Sequence, residues 1–452
     1  MQATFTYAVR YRVYATCRTP LRTGGADGDT ELVLTNSKGR PMIQGSSLAG
    51  AMRAWVQQTH GTAMAEALFG SQKRAGHLIV SDGTFNKDFE QSVRPRLKID
   101  PKTGSAAEGQ KFDLAQINAG ASFHFTLTWL GQGDNTAERG ALEETLAALN
   151  EGEIYLGGQK SNGFGRVVLA VKKQTYDMKQ EQGRTAWLQM EASELEDMAA
   201  PQASKTPPEL TLPKERKQPR VTFTLTGTAD SILVKSSAVE YGKEGHSCTP
   251  NLAEREHPLP PKSADGTQEQ ENRGTPILPG SSVKGAVRAQ AERIAQRTGR
   301  EALVEELFGR GSIETDNGKA GRLRFEDAKL EEAQPQKITR IRINRFTGGV
   351  IRAGLFKEEP LKSKVTLTIT APADCKEGCA LLLYALRDLG LGLYNLGSGG
   401  AIGRGYLNVK TLTAESVDRT VTLTFSEGGG YTVSDPDGLA AEWMKAWKEA
   451  AK

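Results

Sequence analysis

The chain repeats itself, and the repeat limits it to folds that a unit of roughly half its length can adopt. Residues 41–53 read PMIQGSSLAGAMR and residues 276–288 read PILPGSSVKGAVR, in step and without a gap. Each is followed by a Leu-Phe-Gly stop, ALFG ending at Gly70 and ELFG ending at Gly309. Next come AGHLIVSDG at 75–83 and AGRLRFEDA at 320–328, then RLKIDPKTG at 96–104 and RIRINRFTG at 340–348. A phenylalanine stands eight residues beyond the last glycine of each of these final segments (Phe112, Phe356). The series closes on glycine-rich loops, LGGQKSNGFGRV at 156–167 and LGSGGAIGRGYL at 396–407. So many matches in one order mark an internal duplication, and function belongs to a unit used twice.

Each copy is patterned β-α-β-β-α-β. An alternating strand opens at 3–15 and again at 220–229. A helix is expected after each GSS, with Ser46 or Ser47, and Ser281 or Ser282, as N-caps. Strands are expected over 122–130 and 364–371, second helices over 136–149 and 376–390, and each glycine loop leads into a last strand. That order predicts an α+β chain of two tandem ferredoxin-like (RRM-like) domains, a plan shared with common RNA-binding modules. The expected division is a first domain over 1–177, a polar, proline-dotted linker over 178–219, a second domain over 220–415, and a C-terminal strand pair and helix over 416–452. One short helix is expected in the linker, around 184–199, and the last two strands flank GGG at 428–430.

Composition narrows the setting. The 452 residues allow two domains, each with its own core. No run of 18 apolar residues occurs, so no membrane span is expected. Four scattered cysteines make no disulfide framework and fit a reducing cytoplasm. A net charge of +4 requires any nucleic-acid surface to be a local basic patch.

Taken together, PxIxGSSLKGxxR, LFG, a TG-containing hairpin and LGGxxxxGFGRV resemble the RAMP proteins of CRISPR–Cas systems. More narrowly, the set is similar to the backbone subunits of type III effector complexes, which line up along a guide RNA. The resemblance covers nearly all of both copies and leaves out the linker and the C-terminal tail. Two copies in one chain look like the fused backbone subunits of some type III variants. The resemblance implies a cytoplasmic protein of antiviral defence. Its implied partners are crRNA, complementary target RNA, further RAMP proteins and a large signature subunit.

The motifs have physical content of their own. A helix starting at GSS presents backbone N–H groups and a positive dipole end, which suits a phosphate. One turn in, Lys284 and Arg288 stand four apart on one face, where they can reach further phosphates; the first copy keeps Arg53 but has Ala49 in place of the lysine. The glycine loops fit neither G-x-x-x-x-G-K-[ST] nor G-x-G-x-x-G after a strand, so nucleotide hydrolysis and dinucleotide binding are excluded as readings. Their glycines would let an RNA backbone come close, with Lys160, Arg166 and Arg404 adding charge. In the family this loop lies against the guide, which implies that role for 157–165 and 397–405. The hairpins over 99–112 and 343–356 resemble the family's thumb, which pushes one base pair out of the guide–target stack. Lys98, Lys102 and Lys111 make the first basic, and Arg342, Arg345 and Arg352 the second. Each motif also has a plainer reading: a capped helix with a solvated arginine, a tight helix-to-strand turn, an exposed basic hairpin.

For catalysis the resemblance implies an acidic residue in the loop before PxIxGSS, about twelve residues ahead of the proline. Counting back from Pro41 reaches Asp29, with Asp27 and Glu31 beside it. Counting back from Pro276 reaches Ala264, next to Asp265, with Glu269 and Glu271 close by. The implied chemistry is attack by a 2′-hydroxyl on its neighbouring phosphate, with Asp29 or Asp265 holding Mg²⁺ or Mn²⁺. The alternatives are a solvated D-G turn in a non-cleaving crRNA scaffold, and a RAMP enzyme that processes guide precursors with a histidine. For the last, none of His60, His77, His124, His246 and His257 falls in a shared motif. His246, Cys248 and His257 share the long loop of the second copy, and Cys375 and Cys379 stand four apart, but no CxxC pair occurs and zinc is not expected.

Overall fold

A computed structural model of the protein describes residues 5–24, 30–31, 33–86, 89–99, 106–189, 210–212, 220–235, 253–257, 273–311 and 318–450. The chain divides into two compact units. The first holds Met1–Gln91, Leu114–Lys160 and Phe164–Arg216. The second holds Lys217–Lys452 together with two short stretches of the first copy, Ser92–Asp113 and Ser161–Gly163.

In the first unit the alternating opening segment forms the strand Tyr7–Cys17, which buries Val9, Tyr11, Val13 and Ala15. It pairs antiparallel with Ser122–Gly131 on one side (Val13↔Phe125) and with Val167–Asp177 on the other (Val13↔Val171). Gly83–Phe85 pairs on the outer side of Ser122–Gly131, through Phe85↔Phe123. Counted along the chain, the four strands stand in the order second, third, first, fourth, the ferredoxin-like arrangement. Helix α1 (Gly45–His60) buries Leu48, Met52, Trp55 and Val56, spaced as one helical face. Helix α2 (Thr62–Phe69) follows after Gly61. Helix α3 (Thr136–Asn150) starts at Asn135, whose side chain accepts the N–H of Glu138 at 3.3 Å. Helix α4 (Glu181–Leu188) opens the linker earlier than expected and stops within the described part; residues 190–209 lie outside it.

The second unit repeats the plan. Arg220–Ile232 buries alternate residues from Val221 onward and lies between Leu361–Pro372 (Phe223↔Ile369) and Leu407–Ser416 (Leu225↔Leu412). Arg324–Phe325 and Ala328–Pro335 pair on the outer side of Leu361–Pro372. Helices α5 (Gly280–Thr298), α6 (Glu301–Phe308) and α7 (Lys376–Gly390) belong to this unit. The segment after 415 continues the same sheet through Arg419–Phe425 and Tyr431–Ser434. Helix α8 (Leu439–Glu449) then returns Trp443 to the core, 5.7 Å from the ring of Phe223.

The two hairpins stand apart from these sheets. In the second copy Ile338–Ile343 and Val350–Glu358 pair with each other alone among the described strands. In the first copy Gln91–Ile99 and Ala106–Ile117 pair, with the two-residue strand Thr30–Glu31 as a third member on the side of Ala106–Ile117.

Candidate nucleic-acid interface

The GSS helices begin two to three residues earlier than the serines suggest. Helix α1 starts at Gly45 and α5 at Gly280, and the N-cap positions are Gln44 and Pro279, neither with a side-chain cap. Ser46, Ser47, Ser281 and Ser282 therefore sit inside the first turn, which corrects the expectation that they cap. A carboxylate from the following strand end does that work. Gly45 donates its N–H to Asp82 Oδ1 at 2.7 Å, and Gly280 donates to Asp327 Oδ1 at 2.8 Å. The glycine makes this possible: a Cβ on either residue would collide with backbone of the strand end, at Val80 or Phe325. An anion already stands at each positive helix end, so a phosphate approaching there meets a resident carboxylate.

One turn further in, Lys284 donates to Ser161 Oγ at 3.0 Å within the second unit. Burial above all, then the neighbouring guanidinium groups of Arg288 and Arg324, push its ammonium down to a pKa of about 8. Arg288 spends its donors on the protein. Its Nε reaches Glu292 Oε1 at 2.8 Å and its NH1 reaches the carbonyl of Gly309 at 3.0 Å. The arginine of the GSS motif thus holds the glycine of the LFG stop, which gives both motifs a folding reason. Arg53, its counterpart on α1, is half-buried.

The glycine loops are shaped by their own backbone. Gly165 and Gly405 have φ of +91° and +75°, and a Cβ on either would collide with the carbonyl of Leu156 or Leu396. Arg404 does not offer its charge to solvent. It is 5% exposed and donates to Glu358 Oε2 at 2.6 Å, with Arg340 at 3.2 Å and Lys235 at 3.8 Å from the same carboxylate. Burial alone would raise the Glu358 pKa. The hydrogen bond from Arg404 and the charges of Arg404, Arg340 and Lys235 outweigh it and hold the group below the usual glutamate value. The expected RNA contact at Arg404 is therefore replaced by an internal ion pair. Arg166 packs its guanidinium against Gly152, and Lys160 is half-buried at the start of a 3₁₀ turn, Lys160–Asn162.

The second hairpin is the opposite case. Arg342, Arg345 and Arg352 are exposed. Asn344 folds the tip by accepting the N–H of Phe346 on its side chain and that of Gly348 on its carbonyl, each at 2.9 Å. This leaves Phe346 99% exposed. Ile341, Ile343, Val350 and Leu355 are exposed along the ribbon as well. Apolar and cationic side chains interleaved on an uncovered ribbon suit stacked bases and their phosphates. Phe356 is held instead at the base of the hairpin, where the Arg340 guanidinium lies 5.0 Å from its ring centre. The repeated motifs do not single out Phe346, although an aromatic residue directly before T-G in a turn has nothing to pack against. In the first hairpin Leu97 and Ile99 are exposed and Lys98 and Lys111 stand in the strands; Lys102 lies outside the described residues.

Asp27, Asp29 and Asp265 also lie outside the described residues, as do Glu269, Glu271, His246 and Cys248. Glu31 stands in the short strand that joins the first hairpin. Among the described residues no group of three His, Cys, Asp or Glu can hold a metal ion. Cys17 and Cys379 are buried thiols, each pushed up to about 12 by burial. No helix among the described residues is long and apolar enough to cross a membrane.

Two copies of one ferredoxin-like plan, each with its GSS helix, hairpin and glycine loop, define a tandem of RRM-like modules. The RAMP superfamily model matches residues 14–168 and 221–408, one region in each copy, and the chain belongs to that superfamily. No curated protein matches it. Among solved structures it is similar to a chain in "Cryo-EM structure of the Type III-B Cmr-beta bound to cognate target RNA", at 18% identity and a TM-score of 0.32. That match covers 38% of this chain and 62% of the other.

Proposed function

We propose that this protein is a crRNA-binding backbone subunit of a type III CRISPR effector complex, in which one polypeptide supplies two consecutive units along the guide. The observation that carries the reading is the second hairpin. Beyond the Glu358 ion pair at its base, the two-stranded ribbon pairs with no other described strand and carries three exposed arginines and a fully exposed phenylalanine at its tip. It suits a nucleic-acid duplex, whose phosphates the arginines meet while the ring wedges between bases. Binding is then mainly directed at phosphates and indifferent to base sequence. The test is the salt dependence of single-stranded RNA binding. Arg342→Ala with Arg345→Ala is expected to reduce the slope of log affinity against log salt by about 0.7 for each phosphate no longer neutralised. An unchanged slope would mean that these arginines touch no RNA.

In the same reading the complementary target RNA is cut, once per active domain. A 2′-hydroxyl attacks the adjacent phosphate, its proton leaves to solvent, and the P–O bond to the next nucleotide's 5′-oxygen breaks. Asp29, and Asp265 in the second copy, would hold the Mg²⁺ or Mn²⁺ ion whose charge offsets that of the phosphate. Support comes from the family resemblance of the acidic loops; of the first loop's candidates only Glu31 lies among the described residues, in the strand Thr30–Glu31 that pairs with Ala106–Ile117. Further RAMP proteins and a large signature subunit are the proposed protein partners.

A further inference from the structure

The second unit contains a joint between stretches of both copies. Arg94, 3% exposed, donates to Asp327 Oδ2 at 2.7 Å, and Lys284 donates to Ser161 Oγ at 3.0 Å. Arg94 lies at the base of the first copy's hairpin and Ser161 in its glycine loop, the two stretches that belong to this unit. Asp327 is the same carboxylate that caps Gly280, so one side chain serves both the helix start and the incoming arginine.

The duplication shows where this joint is missing its other half. In the first copy Ser46, Ser47 and Asp82 are exposed, where their counterparts Ser281, Ser282 and Asp327 are partly buried. In the second copy Ala401, Ile402 and Gly403 are exposed, where Ser161 and Asn162 are partly buried and Gly163 is buried. The chain therefore presents one uncovered receiving face, at the start of α1, and one uncovered delivering face, at the second glycine loop. The two faces do not suit each other. Position 94 is matched by Ile338 and position 161 by Ala401, while the receiving side has Ala49 where Lys284 stands. A joint between two copies of this chain would set Ile338 against the Asp82 carboxylate and alanine against alanine. Neither hydrogen bond could form, and the Asp82 charge would be buried without a countercharge.

We propose that the face formed by Asp82 and the first turn of α1 receives a RAMP domain of a different polypeptide, one with a basic side chain at the position of Arg94. This rests on the backbone-subunit reading and adds to it a rule for the neighbour: a second copy of this chain is refused on charge. Asp82 keeps its bond to Gly45 N–H on Oδ1 and accepts the neighbour's cation on Oδ2, as Asp327 does.

The test uses the full chain alone in sedimentation velocity, with single-stranded RNA retention measured on the same samples. The natural chain is expected to stay monomeric across a dilution series. Ile338→Arg, Ala49→Lys and Ala401→Ser together rebuild both hydrogen bonds and are expected to raise the weight-average mass about twofold or more, because a head-to-tail joint does not close on itself. Adding Asp82→Lys to that variant is expected to return it to monomer. A natural chain that associates and ignores Asp82→Lys, or a rebuilt chain that stays monomeric, overturns the proposal. RNA retention separates the two ideas: loss of RNA binding with the expected association sinks the backbone reading alone, and retained RNA binding without association sinks this face alone.

Discussion

Asp82 and Asp327 hold the same place in the two copies, yet their removal is expected to cost very different amounts. Each accepts the first N–H of a helix, a bond whose loss typically costs about 1 kcal/mol. Asp327 also faces Arg94, a guanidinium only 3% exposed, whereas Asp82 is exposed. Asp327→Ala removes a carboxylate paired with that buried charge, which adds about 3–5 kcal/mol. The expected total is about 4–6 kcal/mol for Asp327→Ala against about 1 kcal/mol for Asp82→Ala. With a urea slope of about 3 kcal/mol/M, the midpoints fall by about 1.3–2 M and about 0.3 M. Urea unfolding followed by circular dichroism reads both. Arg94→Met added to Asp327→Ala should recover most of the larger loss, since the buried charge is then gone. Equal losses for the two aspartates, or no recovery in the double variant, would refute the reasoning.

Two further outcomes follow from the sites described. Lys284 has a folded pKa of about 8, below its ordinary 10.5, so the native chain lacks a proton that the unfolded chain binds between those values, and stability should rise with pH across that window. Unfolding midpoints compared below and above the window should show the rise in the natural chain and lose it in Lys284→Met. Asp29→Ala is expected to abolish one metal-dependent cut in target RNA while guide and target stay bound, since a group that acts at the transition state lowers rate far more than affinity; Asp265→Ala should remove the neighbouring cut, and deoxyribose before the scissile phosphate should stop cleavage.

The duplicated motifs carried the fold. Strand alternation in Arg220–Ile232 and the helical face of Leu48, Met52, Trp55 and Val56 are local patterns, and each forms the element its spacing predicts. What was not legible lies in pairings between distant parts of the chain. Asp82 caps a helix 37 residues earlier, and Asp327 one 47 residues earlier, so the adjacent serines looked like better caps than they are. Arg404 meets Glu358 across 46 residues, and nothing in the loop itself shows that its charge is already matched. Phe346 was readable in principle, because a T-G turn leaves its preceding ring no core to enter. The acidic loops before each PxIxGSS gave no alternation or helical face from which placement could be read.

In the proposed function, one chain lays two RAMP units along one guide–target duplex, each lifting a base from the stack. The direct measurement is 2-aminopurine fluorescence, with the probe moved along the target strand of a duplex bound to the protein. Two positions of raised emission are expected for each bound chain, one repeat interval apart, because unstacking releases the probe from quenching by its neighbours. Phe346→Ala should remove one of the two and leave the other, at little cost to the fold from a side chain that packs on nothing. A flat profile, or two bright positions that both survive Phe346→Ala, would contradict the claim.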